Sequence, residues 1–235
     1  MEIANAEAQK RYLKEMSVRL AHAGVTVGVV ADNSLPVEYG GMYLCRVSGK
    51  SGVLYRDRDT EGEKRRAALQ RVIDTADTVD EYMRLMERAP HLEATGLHGD
   101  YRILADFQNA VLAGHPTKHG VQFITWEWSY DRTGVGTGHY FEQDYIGAKQ
   151  DFALRAGLID RDMLFSLEQL TEVYRSIHET LDSAYPITAE RSKLLEAAAE
   201  QIERAVPDLN QRVDQSNQRE LELGMELNGT GQTMY

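Results

Sequence analysis

The chain contains a single cysteine, Cys45, among its 235 residues. One thiol excludes an intramolecular disulfide framework and a CxxC metal site, and it is typical of a protein that works in a reducing compartment. No segment approaches the apolar run of about 18 residues that a membrane-spanning helix needs. The charged first 16 residues also lack the apolar core of a signal peptide. The sequence therefore predicts a soluble, cytoplasmic protein with no membrane partner.

Basic residues are also scarce. The chain has 26 lysine and arginine residues against 37 aspartate and glutamate residues, a formal net charge of −11. Residues 142–235 carry 18 of the acidic and nine of the basic side chains. Such a field repels phosphate backbones and attracts a basic partner over a Debye length of roughly 8 Å. We therefore expect the C-terminal part either to bind a basic protein or to be a solvated acidic surface.

Two stretches share a layout of two strands followed by a helix. The segments MYLCRV and GVLYRD flank a turn at 48–51 and precede a helical stripe near 61–76. The stretch 121–158 holds a strand, a glycine-rich turn, a second strand and an amphipathic helix. This pattern predicts an α+β fold in which small antiparallel sheets, as ββα units, pack with amphipathic helices and the C-terminal part is helical.

The hydrophobic pattern lapses between Leu92 and Gly99, which marks a candidate domain boundary. We expect an N-terminal domain of a hairpin and helices over residues 1–95. A four-stranded antiparallel sheet with three helices is predicted over 96–208. The polar residues 209–235 predict a frayed helix that continues into a flexible tail.

Local signals set the expected ends of the elements. Thr78 with Glu81 predicts a capping box that opens a helix separate from the one near 61–76. The segment SLPVEYGG at 34–41 is predicted to be a loop. Further helix ends are predicted at Asp144, Gly157, Ser166 with Gln169, and Thr188.

The strand at 121–130 places Trp126, Trp128 and Tyr130 on one face, because alternate residues of a strand point to the same side. An exposed row of three large aromatic rings would bind a protein partner or stack nucleic-acid bases. The alternative is that the following helix covers this face, since Trp and Tyr side chains dominate protein cores. The three residues are therefore partner-binding candidates, with the core alternative open.

The turn at 131–138 has a GxGxG spacing. A phosphate cradle needs its glycines between a strand and a helix, whereas here a second strand, GHYF, follows. Glycines at the positive φ angles of a hairpin are the expected explanation. We expect no cofactor at this turn.

The histidines give two candidate sites. His115 and His119 have the i, i+4 spacing of two metal ligands on a helix, but Pro116 and the flanking glycines predict a loop, so we expect no metal site. His139 lies in the strand opposite the one with Glu127, and this pair is the candidate for acid–base chemistry in an enzyme. A packed or surface histidine is the alternative.

Arg56, Arg58, Arg65 and Arg66 belong to the one basic cluster of the sequence, which runs from a strand end into a helix. Acidic residues interrupt the cluster, so local salt bridges at i, i+4 are one interpretation. Contact with nucleic acid is the other.

Several stretches together resemble a group of known proteins. The run GVQFITWEWSYDRTGVGTGHYF and the segments AKQDFALRAGLI and FSLEQLTEVYR after it are similar to a family carried by conjugative and other mobile elements of gut Firmicutes. The upstream segments SLPVEYGGMYLCRV, EYMRLMERAP and YRILADFQNAVLAGHP resemble the same family. The likeness covers residues 34–208. It implies an accessory protein, similar to domains that accompany antirestriction proteins, with a role in counter-defence or transfer support. It assigns no catalytic residue.

Three function classes follow. The first is a non-catalytic accessory protein that inhibits a host defence nuclease, of the antirestriction or anti-CRISPR type, by placing Glu196, Glu200 and Glu203 of an acidic helix against its basic groove. The second is a nucleic-acid-binding protein of the element's transfer or replication machinery, and the third is an enzyme. The small residues Ala198 and Ala199 permit close helix approach, either within a subunit or across the two-fold axis of a homo-oligomer.

Overall fold

Two four-stranded antiparallel sheets and six helices make up the part of the chain that the computed structural model describes, residues 2–229. Helix accounts for 48% and strand for 24%, so the predicted α+β fold is confirmed. The strands are β1 (Thr26–Val27), β2 (Ser34–Tyr39), β3 (Met42–Ser48), β4 (Val53–Tyr55), β5 (Arg102–Phe107), β6 (Ala110–Thr117), β7 (Gly120–Trp128) and β8 (Val135–Glu142). The helices are α1 (Glu2–Leu20), α2 (Glu63–Arg88), α3 (Tyr145–Arg155), α4 (Leu167–Leu181), α5 (Ala189–Ala205) and α6 (Leu209–Gly229).

The chain divides into two compact units, the first ending at Ile159 and the second beginning at Asp160. The predicted boundary near residue 95 falls inside the first unit, which contains both sheets. The two sheets belong together because one hydrophobic core joins Leu35 of β2, Tyr82 of α2 and Phe123 of β7. The lapse in hydrophobic pattern after α2 is therefore a loop within the first unit.

Strands β1 to β4 form the first sheet in sequence order. The segment SLPVEYGG forms β2 and not the predicted loop, and its Leu35 and Val37 are fully buried and paired with β3. The apolar Leu35 and Val37 alternate with Pro36 and Glu38, which is typical of a strand. Pro36 and the glycines at 40–41 are typical of a loop, and they obscured this alternation in the sequence.

Strands β5 to β8 form the second sheet, also in sequence order. The four-stranded antiparallel sheet predicted after residue 96 is confirmed. Gln108 and Asn109 form the turn between β5 and β6, with Phe107 paired to Ala110 and Gln108 at a φ of 49°. Helices α1, α2 and α3 contact this sheet, which places a site on it within reach of several elements.

Helix α2 runs without a break from Glu63 to Arg88, so the predicted capping box at Thr78 and Glu81 is wrong. The Thr78 hydroxyl donates instead to the carbonyl of Asp74 one turn earlier, at 2.8 Å. A Thr hydroxyl inside a helix makes this bond to the carbonyl four residues earlier, in place of a capping bond. Glu81 lies 2.9 Å from the Lys149 ammonium of α3.

The other predicted helix ends are confirmed. Gly157 follows α3 with a φ of 66°, and the Leu158 amide donates to the carbonyl of Ala153 at 2.8 Å. This is the geometry that glycine favours at a helix C-terminus. The N-terminal caps of α3, α4 and α5 are Asp144, Ser166 with Gln169 as a capping box, and Thr188.

A buried ionic network fastens α1 to α2 and to the second sheet. Arg19 Nη2 lies 2.7 Å from Glu15 Oε1, and both side chains are more than nine-tenths buried. The Tyr82 hydroxyl donates to Glu15 at 2.6 Å, and Arg19 donates to the carbonyls of Val121 and Gln143, each at 2.7 Å. Burial raises the pKa of Tyr82 well above its usual range, so its phenol keeps the proton that it donates. We call these side chains, Glu15, Arg19 and Tyr82, the buried network.

The second unit is built from α4, α5 and α6. Ile177, Ala199 and Ile202 belong to its hydrophobic cluster, which also includes Leu209 at the start of α6. The helix predicted at the start of 209–235 extends to Gly229, and its Leu209 and Val213 pack in this cluster. The rest of the predicted tail lies outside the described residues.

Candidate functional site

Trp126 and Trp128 lie in the interior of the first unit, at 4% and 8% exposure. They pack with Leu92 and Tyr101 of the segment that follows α2, and the rings of Tyr101 and Trp126 meet edge to face at 5.2 Å. The exposed aromatic row that partner binding requires therefore does not form. Trp126 and Trp128 are therefore core residues, as the alternative interpretation predicted. Residues 89–101 cover them, and not the helix that follows the hairpin.

Tyr130 differs from the two tryptophans because it is fully exposed, just after β7 ends. The turn beside it is ordered around Asp131, which accepts hydrogen bonds from the Ser129 hydroxyl at 2.7 Å and the Thr133 amide at 3.2 Å. These bonds lower the pKa of Asp131 below its usual value. Tyr130 is therefore the one member of the predicted row that a partner can reach.

The glycines of the 131–138 turn do not have the positive φ angles that we expected. Arg132 and Thr137 have them instead, at 56° and 49°. Gly138 serves packing, because a Cβ atom at this position would lie 2.5 Å from Trp126 Nε1. A Cβ at Gly136 would meet nothing within 4 Å. The Gly138 position of the GxGxG spacing is thus explained by the close approach of Trp126 to β8.

His139 and Glu127 belong to a polar network between β7, β8 and α3. His139 pairs with Thr125 and not with Glu127, because the register shifts between β7 and β8. His139 Nδ1 lies 3.0 Å from Asp151 Oδ1, and Glu127 Oε1 lies 3.2 Å from Arg155 Nη2. The predicted pair is thus replaced by two pairs, each with a partner on α3.

Sequence reasoning missed Thr125, Asp151 and Arg155. The Thr125 hydroxyl is buried and donates to Asp151, while Arg155 is 8% exposed and donates to the carbonyl of Thr137 at 2.6 Å. The available signal was the i, i+4 spacing of Asp151 and Arg155, which places both on one face of α3. A carboxylate that holds one imidazole nitrogen orients the ring for proton transfer at the other. The contacts themselves tie α3 to the hairpin.

The arginines of the basic cluster have different roles. Arg65 donates to the carbonyls of Tyr39 (3.3 Å), Tyr43 (2.6 Å) and Asp59 (2.8 Å), so its guanidinium holds the first sheet to the start of α2. Arg66 is exposed on α2. The structure therefore separates Arg65, which serves the fold, from the other predicted nucleic-acid contacts, the exposed Arg56, Arg58 and Arg66.

Glu196, Glu200 and Glu203 are all exposed on α5. Their spacing of four and three residues places them on one side of the helix. The Tyr174 hydroxyl donates to Glu203 at 2.8 Å, and the Ser192 hydroxyl donates to Glu196 at 2.9 Å. The structure thus brings the three predicted carboxylates together, and we call them the acidic stripe.

A second charged network links α4 and α6. The Arg175 side chain is 8% exposed and lies 2.7 Å from Glu172 and 2.6 Å from Glu220, whose own side chains are mostly exposed. Arg175 Nε also donates to Asn217 at 2.9 Å. The hydrogen bond from Arg175 holds the pKa of Glu220 below its usual value. This buried cation is therefore already neutralised by the unit's own carboxylates.

A cavity of about 400 Å³ opens beside α2 in the first unit. Its lining includes Met83 and Met86 and the ion pairs Arg11–Glu87 and Asp100–Arg102. The charges cancel within each pair, so the cavity does not select a ligand of either sign.

Among residues 2–229, no group of three or more His, Cys, Asp or Glu side chains is placed to hold a metal ion. No helix in the same range is long and apolar enough to cross a membrane. Cys45 is buried, and burial raises the pKa of its thiol to about 12. This thiol is thus protonated near neutral pH and is a core residue.

No model of a known protein family, no curated protein and no solved structure matches this chain. The resemblance of residues 34–208 to accessory proteins of mobile elements therefore stays a prediction. The candidate site with the most predicted residues in one place is the acidic stripe.

Proposed function

We propose that this chain is a non-catalytic accessory protein of a mobile element that binds a basic protein partner through the acidic stripe of its second unit. The observation that carries the proposal is the exposure of Glu196, Glu200 and Glu203 on one side of α5. The partner is a host defence nuclease, whose nucleic-acid groove is lined with basic side chains. Carboxylates held on a helix can occupy such a groove in place of phosphates.

The charge of the whole unit supports this choice of partner. Residues 160–235 contain 15 acidic and seven basic side chains, a net charge of −8. Arg175 lies against Glu172 and Glu220 and is offset by these two carboxylates, while Arg204 of α5 lies 3.9 Å from Glu200 in an exposed pair. A field of this sign speeds encounter with a basic protein and repels free nucleic acid.

The proposed partner is identified by pull-down. The tagged full chain is incubated with lysate of a gut Firmicute that carries restriction and CRISPR systems, and nuclease-treated and untreated samples are compared by mass spectrometry. Recovery of a defence nuclease in both samples supports direct binding. Recovery in the untreated sample alone means that nucleic acid bridges the two proteins, which contradicts the proposal.

The acidic stripe is then tested by charge reversal. The variant with Glu196→Lys, Glu200→Lys and Glu203→Lys is expected to lose most of its affinity for the recovered nuclease, and wild-type affinity is expected to fall with added salt. The matched control reverses three exposed acidic residues of the first unit, Glu7, Glu61 and Glu93, and changes the net charge equally. Equal affinity of the stripe variant and wild type would show that the stripe is not the binding surface.

A further inference from the structure

One face of the first sheet carries mostly exposed side chains. The inner face of the sheet carries Leu35, Val37, Cys45 and Val47, which are all buried against α1 and α2. The opposite side of the same strands is mostly exposed, with Pro36 part-buried. We call this opposite side the outer face, and its residues are Pro36, Glu38, Tyr43, Arg46, Leu54 and Arg56.

Strand pairing places these residues on one side. Residues directly opposite in an antiparallel ladder share a face, and Arg46 pairs with both Pro36 on β2 and Leu54 on β4. Arg56 follows Leu54 by two residues, and its backbone is extended, with φ −120° and ψ 140°. The alternation of β4 therefore continues to Arg56, which lies on the same side as Leu54.

A register shift explains how Tyr43 joins this face. Val37 pairs with Cys45 and Glu38 pairs with Tyr43, so Leu44 is an extra residue in β3. Leu44 and Cys45 are both fully buried, whereas Tyr43 is 39% exposed. Such a bulge lets two successive residues face the core and turns the preceding one outward. The ring of Tyr43 thus lies on the side of Arg46.

The outer face carries more positive than negative charge, although the chain as a whole is acidic. Arg46 and Arg56 are exposed and make no ion pair among the described residues, and Glu38 is the carboxylate on the face. Arg46 is the cross-strand partner of Leu54, and Arg56 lies two residues after Leu54, so strand geometry puts the Cα atoms of the two arginines about 8 Å apart. An anionic chain that crosses the sheet can therefore meet both guanidinium groups.

We propose that the outer face binds single-stranded nucleic acid. Arginines contact phosphates of any sequence, while an aromatic ring on a sheet surface offers a platform on which an unpaired base stacks. Tyr43 and the half-exposed Leu54 supply this flat apolar surface beside Arg46 and Arg56. A duplex keeps its bases stacked inside and gains nothing from Tyr43, so the face distinguishes single strands from duplexes. The site belongs to the first unit and is independent of the acidic stripe.

The test is a titration of the full chain into a labelled oligothymidylate of about fifteen nucleotides, followed by fluorescence anisotropy. We expect saturable binding at about 50 mM salt. With two phosphate contacts, the affinity should fall roughly sevenfold at about 200 mM salt. A duplex of the same length should bind at least several-fold more weakly.

Substitutions on the face identify the residues. The variant with Arg46→Glu and Arg56→Glu is expected to lose at least about tenfold in affinity. Tyr43→Ala should lose about fivefold or more, and Tyr43→Phe should keep most of the wild-type affinity because the ring still stacks. The single variants Arg46→Glu and Arg56→Glu are measured as well, and their matched control is Arg88→Glu, which makes the same charge change at an exposed arginine at the other end of α2. Circular dichroism confirms that each variant is folded.

Several results would overturn the proposal. One is the lack of saturable binding to the oligothymidylate by the folded wild type. Another is an equal loss of affinity in Arg88→Glu and in the two single variants at Arg46 and Arg56, which would indicate an effect of net charge alone. Equal affinity for the single strand and the duplex would contradict stacking of a base on Tyr43. Equal affinity of Tyr43→Ala and wild type would contradict it as well. Binding to vesicles with anionic lipid but not to the oligonucleotide would assign the face to a membrane surface.

Discussion

The two units surround a buried arginine in different ways. In the first unit, Arg19 and its partner Glu15 are both more than nine-tenths buried, and Tyr82 completes the network. In the second unit, Arg175 is equally buried, but the side chains of Glu172 and Glu220 are 60% and 65% exposed. Removing one member of a buried ion pair leaves an uncompensated charge away from water and is strongly destabilising. Removing one member of an exposed pair costs little, because solvent already screens the attraction.

This difference matches what each network holds together. Glu15 and Arg19 join α1 to α2 and to the second sheet, elements that are far apart in the sequence. Arg175 joins only α4 and α6, two helices of a small bundle. The first network therefore specifies the fold of its unit, and the second adjusts the stability of a bundle that apolar contacts already define. Glu15→Ala and Glu220→Gln test this contrast from its two ends, and two further substitutions measure other contacts of the first unit.

The largest effect is expected from Glu15→Ala. Arg19 would keep its charge in a buried site without its partner, which costs about 3 to 5 kcal/mol. Both tryptophans of the chain lie in the first unit, so urea unfolding followed by tryptophan fluorescence measures this unit directly. The control is Arg11→Ala, which breaks an exposed pair with Glu87 at 3.4 Å and should cost less than about 1 kcal/mol. Similar losses in the two variants would contradict the special role of the buried network.

The next effect concerns the tryptophan face of the same unit. Gly138→Ala would place a methyl group 2.5 Å from Trp126 Nε1, and the indole is held by its core neighbours. We expect a loss of about 1 to 3 kcal/mol in the free energy of unfolding, since overpacking forces side chains from their preferred positions. The emission of Trp126 should shift as well. Gly136→Ala is the matched control, because its Cβ would meet nothing within 4 Å. Equal stability of the two variants would mean that the close approach of Trp126 is not the reason why position 138 is a glycine.

A smaller effect separates two adjacent arginines. Arg65→Ala removes the donors to the carbonyls of Tyr39, Tyr43 and Asp59 and should cost about 1 to 2 kcal/mol, because the side chain is only part-buried. Arg66→Ala, at an exposed position on the same helix, should change stability by less than about 0.5 kcal/mol. The comparison uses the same urea unfolding experiment. If Arg66→Ala were the more destabilising change, Arg65 would not be the link between the first sheet and α2.

The sequence predicted local features well and long-range ones poorly, and the residues show why. Caps at Asp144, Ser166 and Thr188 depend on a few neighbouring residues, so their pattern is complete within one turn. The failed capping box at Thr78 has the same residues as a true one, and its hydrogen bond to Asp74 becomes visible only when the helix continues.

The candidate sites show the same limit. Alternation correctly placed Trp126 and Trp128 on one face of β7, but a strand pattern does not reveal that residues 89–101 cover this face. The pair Glu127 and His139 was predicted from two strands, and a register shift changed the partner. The acidic stripe was predictable in full because helical spacing alone sets it. Tyr43 joins the outer face only through a bulge, which the sequence does not show.

The smallest effect concerns the exposed side of the Arg175 network. Because the folded pKa of Glu220 lies below its usual value of 4.5, the pair stabilises the second unit above that pH, and the stabilisation is lost as the pH falls through the lowered folded pKa. Glu220→Gln should remove this dependence. Hydrogen exchange of α4 and α6, measured at about pH 6 and about pH 3, should then show a few-fold smaller change in protection than in wild type. Glu222→Gln, at an exposed position on α6, is the matched control and should behave as wild type. If Glu220→Gln kept the full acid dependence, other carboxylates of the bundle, and not Glu220, would govern it.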